Sequence, residues 1–101
     1  MSKREIKLKY YVYIITNKPK GVLYIGTTKR LKARIYQHKT KVHLNSFSAR
    51  YNLDKLVYFE EYQLREEALL KEKKMKKWNR AWKIELIEKS NPDWMDLYER
   101  L

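Results

Sequence analysis

The sequence predicts an α/β domain in which a small three-stranded antiparallel sheet is flanked by helices. Two aromatic-rich runs, Tyr11–Ile15 and Val22–Ile25, are separated by six residues that include Asn, Pro and Gly, a pattern typical of a β-hairpin with a longer loop. A third β-favouring run occupies Lys55–Tyr62. Residues with helical spacing follow both the hairpin and the third run, so helices are expected to cover the sheet.

The first strand is expected at the centre of this sheet. Alternation places Tyr11, Tyr13 and Ile15 on one face and Tyr10, Val12 and Ile14 on the other. All six side chains are apolar or aromatic, so both faces of the strand should be covered. In the second strand Tyr24 shares a face with Val22 and Gly26. Tyr13 and Tyr24 therefore lie on the same side of the hairpin if the register allows, which the sequence does not fix.

A helix is expected after the hairpin, with Thr27 and Thr28 offering its N-cap. One face of this helix contains four residues at i, i+3, i+4 and i+7, namely Leu31, Arg34, Ile35 and His38. Two side chains that can be cationic thus occupy a stripe that packing alone would fill with Leu or Ala. Lys29–Lys41 contains six Lys or Arg and no acid, which predicts a basic patch.

The segment Lys41–Asn52 lacks a clear period and is expected to be a loop with a helical turn near Ser48–Tyr51. After the third strand, Arg65–Trp78 is expected to be helical. Its inward stripe is predicted to contain Leu64, Ala68, Met75 and Trp82, and the position that completes the stripe is Glu72.

Glu72 is the most informative anomaly of this helix. An unpaired buried carboxylate costs several kcal/mol, so Glu72 should have a cation beside it or a water-filled cleft in front of it. Seven of the thirteen residues in Lys71–Lys83 are basic and Glu72 is the sole acid, so a second basic patch surrounds it.

Both ends of the chain carry weaker patterns. Met1–Lys9 is charged and expected to be frayed before the first strand. A further helix packed on the sheet is expected to contain Trp82, Ile84, Leu86 and Ile87. Asn91-Pro92-Asp93 resembles an N-cap with proline at the first helical position. The final helix is expected to close the core with Trp94, Leu97, Tyr98 and Leu101.

The length and the charge limit the classes of function. The 101 residues fit a single domain, residues 1–101, and the formal charge is +12. Folding does not require such a charge, so a polyanionic partner is expected. A membrane surface is the competing polyanion. No run approaches the roughly 20 apolar residues of a membrane-spanning helix, and the N-terminus lacks the apolar core of a signal peptide.

The chain has no cysteine and two histidines. Disulfides and thiolate metal sites are therefore excluded, and a zinc centre is disfavoured. The absence of cysteine also fits a cytoplasmic protein.

The stretch from Tyr11 to His38 resembles the GIY-YIG nuclease module. The first element stands as Tyr11-Val12-Tyr13, which departs from the family triplet at two positions, and the second stands as a literal Tyr24-Ile25-Gly26. Arg34 follows ten residues after Tyr24, and the sequence LLKEKKMKKW lies downstream. The resemblance covers nearly the whole chain and extends to the N-terminal nuclease module of excinuclease and to the catalytic domains of homing endonucleases.

The resemblance implies a metal-dependent DNA endonuclease. In that family a helix Glu holds the metal, here Glu72, and Mg²⁺, or Mn²⁺ in its place, accepts one carboxylate together with waters and substrate phosphate. Arg34 suits bidentate contact with a phosphate. Tyr13 and Tyr24 match the tyrosines that orient or deprotonate the attacking water, with Tyr24 the stronger candidate. His38 is a candidate proton relay or phosphate ligand.

Each of these residues also has a structural interpretation. Glu72 fits a carboxylate paired with lysines on a solvated helix, the stem of Arg34 fits packing along its own helix, and His38 fits a plain packing residue. A tyrosine can act as a base near neutrality only if adjacent positive charge lowers its pKa. The competing function is a non-catalytic nucleic-acid-binding module that retains the fold.

The predicted partner is DNA, bound through its phosphate backbone by the patches Lys29–Lys41 and Lys71–Lys83. The catalytic module takes up the whole chain, and no spare recognition helix is evident. We therefore expect a monomer or weak dimer that selects DNA structures rather than sequences, in repair or recombination. With one Glu72 per chain, it should nick one strand per encounter.

Overall fold

The computed structural model describes residues 9–43 and 46–101. Its elements are β1 (Tyr10–Thr16), β2 (Leu23–Thr28), α1 (Leu31–Lys39), α2 (Phe47–Arg50), β3 (Lys55–Tyr62), α3 (Arg65–Lys77), α4 (Arg80–Ser90) and a 3₁₀ helix (Leu97–Arg100). The antiparallel sheet has the strand order β2-β1-β3. The predicted fold class, the central first strand and the third strand are confirmed. The expectation for Met1–Lys9 falls on residues of which only Lys9 is described.

The two faces of the sheet pack against different helices. The α3 face, covered by α3 and α4, is built from Val12, Ile14, Ile25, Val57, Tyr58, Ala68, Met75, Ile87 and Trp94. The α1 face, covered by α1 and the 3₁₀ helix, is built from Tyr13, Ile15, Leu31, Ile35, Leu53, Leu56 and Leu97. Because side chains alternate along β1, its consecutive residues contribute to opposite clusters, as expected for a strand buried on both sides.

The register of the hairpin pairs Tyr13 with Gly26 and Ile15 with Tyr24. Tyr13 and Tyr24 therefore lie on the same face of the sheet, where they are diagonal neighbours on adjacent strands. This register is the one that the sequence required, but did not fix, for Tyr13 and Tyr24 to share a face.

The predicted N-cap of the first helix is wrong. β2 continues through Thr28, and α1 begins only at Leu31, with Arg30 at the N-cap position and no side-chain cap. The hydroxyl of Thr28 instead accepts a hydrogen bond from the backbone N–H of Arg30. The hydroxyl of Thr27 is used elsewhere, because it donates to a carboxylate on α3.

The predicted stripe along the second long helix is correct only in its middle. Ala68 and Met75 are fully buried, whereas Leu64 and Trp82 are each 55% exposed. Leu64 precedes α3 in an extended conformation. The helix ends at Lys77, and a new helix, α4, starts after a break, so Trp82 does not continue the stripe. Trp82 is therefore not part of the packing of α4 on the sheet, whereas the other three predicted residues are: Ile87 is buried in the cluster, and Ile84 and Leu86 pack against it.

The predicted final helix is also wrong. Asn91 does not start a helix but follows the end of α4, where its buried amide donates to the carbonyl oxygens of Val57 and Met95. The only helical turn after it in the described chain is the short 3₁₀ helix, whose N-cap is Asp96. The four residues predicted to close the core nevertheless do so: Trp94 and Leu97 are buried, and Tyr98 and Leu101 are partly buried against the α1-face cluster. None of the described helices is both long enough and apolar enough to cross a bilayer.

Candidate active site

Tyr13 lies in the middle of β1 with its side chain 1% exposed. A Cβ placed on Gly26 would lie 2.4 Å from the hydroxyl oxygen of Tyr13 and 2.5 Å from its Cζ. The ring therefore lies across β2 at Gly26, on a path that any larger residue blocks. The glycine of the literal triplet is needed for this close approach and not for a special backbone angle.

His38 joins Tyr13 to the short helix α2. Its Nε2 lies 3.0 Å from the Tyr13 hydroxyl and its Nδ1 lies 2.8 Å from the hydroxyl of Ser48. Burial, with a smaller contribution from the positive charge of Arg34, lowers the pKa of His38 to about 4. The imidazole is therefore neutral at pH 7. This environment disfavours the predicted role as a phosphate ligand and favours a role within a hydrogen-bonded chain.

Ser48 is a site residue that the sequence did not identify. It is buried in α2, whose N-cap Ser46 accepts a hydrogen bond from the backbone N–H of Ala49. The helical turn predicted near Ser48–Tyr51 is confirmed, one residue earlier than expected. The Ser-x-Ser spacing at a predicted turn is the signal that marks such a helix start, but nothing local indicates the partner on α1.

The two candidate tyrosines lie in different environments. Burial raises the pKa of Tyr13, and nearby Arg34 only partly opposes this effect. The Tyr13 phenol therefore stays protonated near neutrality, which favours orienting a neighbour over removing a proton. Tyr24 is half-buried, with its ring centroid 6.5 Å from that of Tyr13 and 5.9 Å from that of His38.

A cavity of about 100 Å³ opens beside these residues. Its lining consists of Tyr24, Arg34, Gln37, His38, Lys41, His43, Ser46, Phe47 and Ser48. Arg34 lies one helical turn before His38, and its Nη1 donates to the side-chain oxygen of Gln37 at 3.1 Å. The guanidinium is thereby held at the cavity wall with donors left over, because one arginine has five N–H groups.

Glu72, on α3, approaches strand β2 from the α3 face of the sheet, opposite to Tyr13 and His38. One carboxylate oxygen accepts a hydrogen bond from the hydroxyl of Thr27 at 2.9 Å, and the other lies 3.7 Å from the ammonium of Lys76. The Glu72 side chain is 20% exposed, so it is neither sealed in the core nor free in solvent. Its charge also acts on Tyr13, whose pKa it helps to raise.

These donors fit a hard divalent cation. A carboxylate oxygen is a preferred ligand of Mg²⁺, and the Thr27 hydroxyl fixes the orientation of that carboxylate. Within residues 9–43 and 46–101, no group of three or more His, Cys, Asp or Glu side chains could hold a metal ion. A cation held at Glu72 would need further ligands from water and phosphate oxygens, an arrangement that Mg²⁺ commonly adopts.

Part of each basic patch is used inside the fold. Lys39 pairs with Asp96 and donates to the carbonyl oxygen of Asp54 at 2.7 Å. Arg80 donates to the carbonyl oxygens of Lys20 and Gly21 and so fixes the hairpin loop. The second patch keeps four exposed lysines on α3, namely Lys73, Lys74, Lys76 and Lys77.

The family model of the GIY-YIG catalytic domain matches residues 9–85, from β1 into α4. A UPF0213 protein from Clostridium perfringens is 40% identical over 81 residues, which cover 76% of this chain and 81% of that protein. The comparison with solved structures gives no significant match. The matched span includes all five candidate residues, Tyr13, Tyr24, Arg34, His38 and Glu72.

Proposed function

Because the chain belongs to the GIY-YIG catalytic domain family, we propose that it is a divalent-metal-dependent endonuclease that hydrolyses phosphodiester bonds in DNA. The observation that carries this proposal is the convergence on strand β2 of side chains from both faces of the sheet. Tyr13, Arg34 and His38 reach it from the α1 face, and Glu72 reaches it from the α3 face. A carboxylate inside a basic patch weakens phosphate binding, so its presence favours a metal-binding role over a role in binding alone.

Hydrolysis requires that charge on the phosphoryl oxygens be neutralised and that a water molecule be oriented for attack. Arg34 binds the phosphate through guanidinium donors at the cavity wall. Tyr24 lines the same cavity and orients the water through its hydroxyl. Mg²⁺ or Mn²⁺, when held by Glu72, supplies Lewis-acid neutralisation of the phosphate charge.

Tyr13 and His38 act as positioning residues in this scheme. Both are buried, and they share the hydrogen bond of 3.0 Å that holds the Tyr13 ring across Gly26. This arrangement fixes the edge of β2, where Tyr24 and Thr27 meet the substrate and Glu72. Side chains that a buried network already holds in place lose little entropy when the substrate arrives.

We further propose that the chain acts as one domain, nicks one strand per encounter and selects DNA structures over sequences, in repair or recombination. Each good bidentate contact with a base edge gives about 1–3 kcal/mol of discrimination. Exposed cations lie on α1 and α3, the helices that carry the site, so we assign them to the phosphate backbone and not to base edges.

The proposal is tested by incubating the purified chain with supercoiled plasmid and with matched branched and flapped DNA. We expect nicking with Mg²⁺ or Mn²⁺, no nicking in EDTA and preference among structures. Arg34→Ala, purified identically, controls for contaminating nucleases and should lose both rate and affinity. A tight sequence preference on duplex DNA would show that this small domain encodes sequence recognition.

The same samples separate cleavage from binding alone. If about five to eight phosphates are neutralised, the logarithm of the binding constant should fall with the logarithm of salt concentration with a slope of about −4 to −7. Such binding without metal-dependent cleavage would support the non-catalytic module. A slope near zero would remove nucleic acid as the partner.

A further inference from the structure

Two aromatic side chains on α2 are left exposed beside the candidate active site. Phe47 is 48% exposed and Tyr51 is 45% exposed. Their ring centroids are 4.7 Å apart, and the ring of Phe47 also stacks on Tyr24, at 6.2 Å and an interplanar angle of 29°. The three rings form a continuous aromatic surface that begins at a proposed catalytic residue. Apolar packing alone does not explain its exposure.

Phe47 and Tyr24 stand between two cationic cavities. On one side they line the cavity that contains Arg34 and Lys41. On the other side they line a second cavity of about 280 Å³ that contains Lys76 and Lys83. An anionic chain that runs from one cavity to the other therefore passes the rings of Phe47 and Tyr24, the two residues that line both.

The helix that carries the aromatic surface is hydrogen-bonded to the candidate site. α2 begins at its own N-cap serine, and Ser48 binds the imidazole of His38. Phe47 is adjacent in sequence to Ser48 and lines the same cavity as His38. Phe47 therefore lies at the wall of the cavity that also contains Arg34, the residue to which we assign the phosphate.

We propose that Phe47 and Tyr51 form a stacking platform for an unpaired base of the nucleic-acid strand whose phosphate lies at Arg34. The proposal rests on the proposed function and names the substrate class as single-stranded or locally unpaired nucleic acid. Aromatic side chains interleaved with cations bind such strands without sequence preference, because every base has a π-face. Bases inside an intact duplex are already stacked on each other and cannot use the platform.

The test measures binding of short fluorescent single-stranded DNA and of a duplex of equal total charge, in EDTA so that cleavage plays no part. Phe47→Leu and Tyr51→Leu remove the aromatic faces, and Phe47→Trp keeps one. Tyr36→Leu is the matched control, because Tyr36 is 57% exposed on α1, lines neither cavity and is not one of the three contacting rings Tyr24, Phe47 and Tyr51. A 2-aminopurine base placed along the strand reports stacking through quenching of its fluorescence.

We expect Phe47→Leu to weaken single-strand binding about tenfold and to abolish the quenching, with duplex binding changed by less than about twofold. Phe47→Trp and Tyr36→Leu should bind single strands as the wild type does. Equal losses of affinity for single-stranded and duplex DNA would overturn the platform. Unchanged affinity for both would also overturn it, and would favour a protein partner for the aromatic surface. If the wild type itself binds no nucleic acid, the proposed function fails first, so the two failures are distinguishable.

Discussion

The central strand β1 contributes side chains to both faces of the sheet, but the two faces differ in polarity. On the α3 face, β1 contributes Val12 and Ile14 to an almost wholly apolar cluster. On the α1 face, β1 contributes Tyr13, which together with His38 brings polar groups below the surface. Each of these buried polar groups has a hydrogen-bond partner, and the described residues contain no unsatisfied buried side-chain polar atom. The α3 face thus contributes mainly apolar packing, and the α1 face positions the polar side chains of the candidate site.

Glu72 breaks this division. It belongs to α3, the helix that covers the apolar face, but its carboxylate binds Thr27 on β2, the edge strand. Thr27 follows Gly26, the residue that the Tyr13 ring crosses. The proposed site is therefore assembled around the edge of the sheet from both layers. Variants on each face should separate the contributions of packing and of chemistry.

The largest effect is expected for Glu72→Gln. Loss of the carboxylate charge should reduce metal-dependent cleavage by about a thousandfold or more, because the metal loses its anionic ligand. DNA binding in EDTA should be unchanged or slightly tighter, since one negative charge is removed from a basic patch. Cleavage rates and anisotropy measure the two effects.

The matched control for this change is Glu67→Gln. Glu67 lies exposed in the first turn of the same helix, so its replacement should leave the cleavage rate unchanged. A wild-type rate for Glu72→Gln in Mg²⁺ would remove Glu72 from the proposed metal site.

On the apolar face, Ile87→Ala should reduce the free energy of unfolding by about 3 kcal/mol while leaving cleavage almost unchanged well below the melting temperature. Ile87 is fully buried on α4, and its truncation leaves a cavity. Urea unfolding followed by circular dichroism gives the stability. A rate that falls as steeply as the stability would show that the two faces are not separable.

On the polar face, His38 should make stability depend on pH. The pKa of His38 is lowered to about 4 in the fold, against about 6.5 when unfolded, so acid protonates the unfolded chain first. The contribution is full above about pH 6.5 and is lost as the pH falls towards about 4, to a total of about 3 kcal/mol. The groups that face the imidazole are Tyr13, Tyr24, Ser48, Arg34 and His43.

Urea unfolding between about pH 7.5 and about pH 4.5 measures this dependence, and His38→Gln should flatten it. The carboxylates are the same in both proteins, so the difference between the two curves isolates His38. Parallel curves would contradict a neutral buried imidazole.

The smallest effect is expected at Gly26. A Cβ at this position overlaps the Tyr13 ring, so Gly26→Ala should cost about 2 kcal/mol of stability as the ring is displaced. In a Tyr13→Leu background the same change should cost much less, because the ring is absent. A double-mutant cycle measures this coupling. Additive effects would show that the close approach does not determine the glycine.

Local patterns were sufficient for most of the fold. The third strand matches its predicted bounds, and the central position of β1 follows from apolar residues on both of its faces. The wrong predictions of helix starts concern polar side chains that could bond either a nearby backbone group or a group distant in sequence. Thr27 was expected to cap a helix and instead binds Glu72, which is distant in sequence. Asn91 was expected to start a helix and instead satisfies carbonyl groups around a turn.

The candidate site was predictable in part for the same reason. Motif spacing identified Tyr13, Tyr24, Arg34, His38 and Glu72 as candidates, and their catalytic roles remain predictions. Spacing did not indicate Ser48, because its contact with His38 depends on how α2 folds back on α1. It also did not indicate that burial raises the pKa of Tyr13, because the depth of a strand residue depends on what covers it.

The hydrogen-bonded chain Tyr13–His38–Ser48 can place its hydrogen atoms in two ways. A neutral imidazole carries one N–H, on either nitrogen, and hydroxyl groups at both ends can donate or accept. The chain therefore has two polarities of equal net charge. In one polarity the Tyr13 hydroxyl donates to Nε2 of His38, and in the other the N–H of His38 donates to the Tyr13 hydroxyl oxygen. Tautomeric exchange can thus reverse every hydrogen bond of this buried network without creating a buried charge.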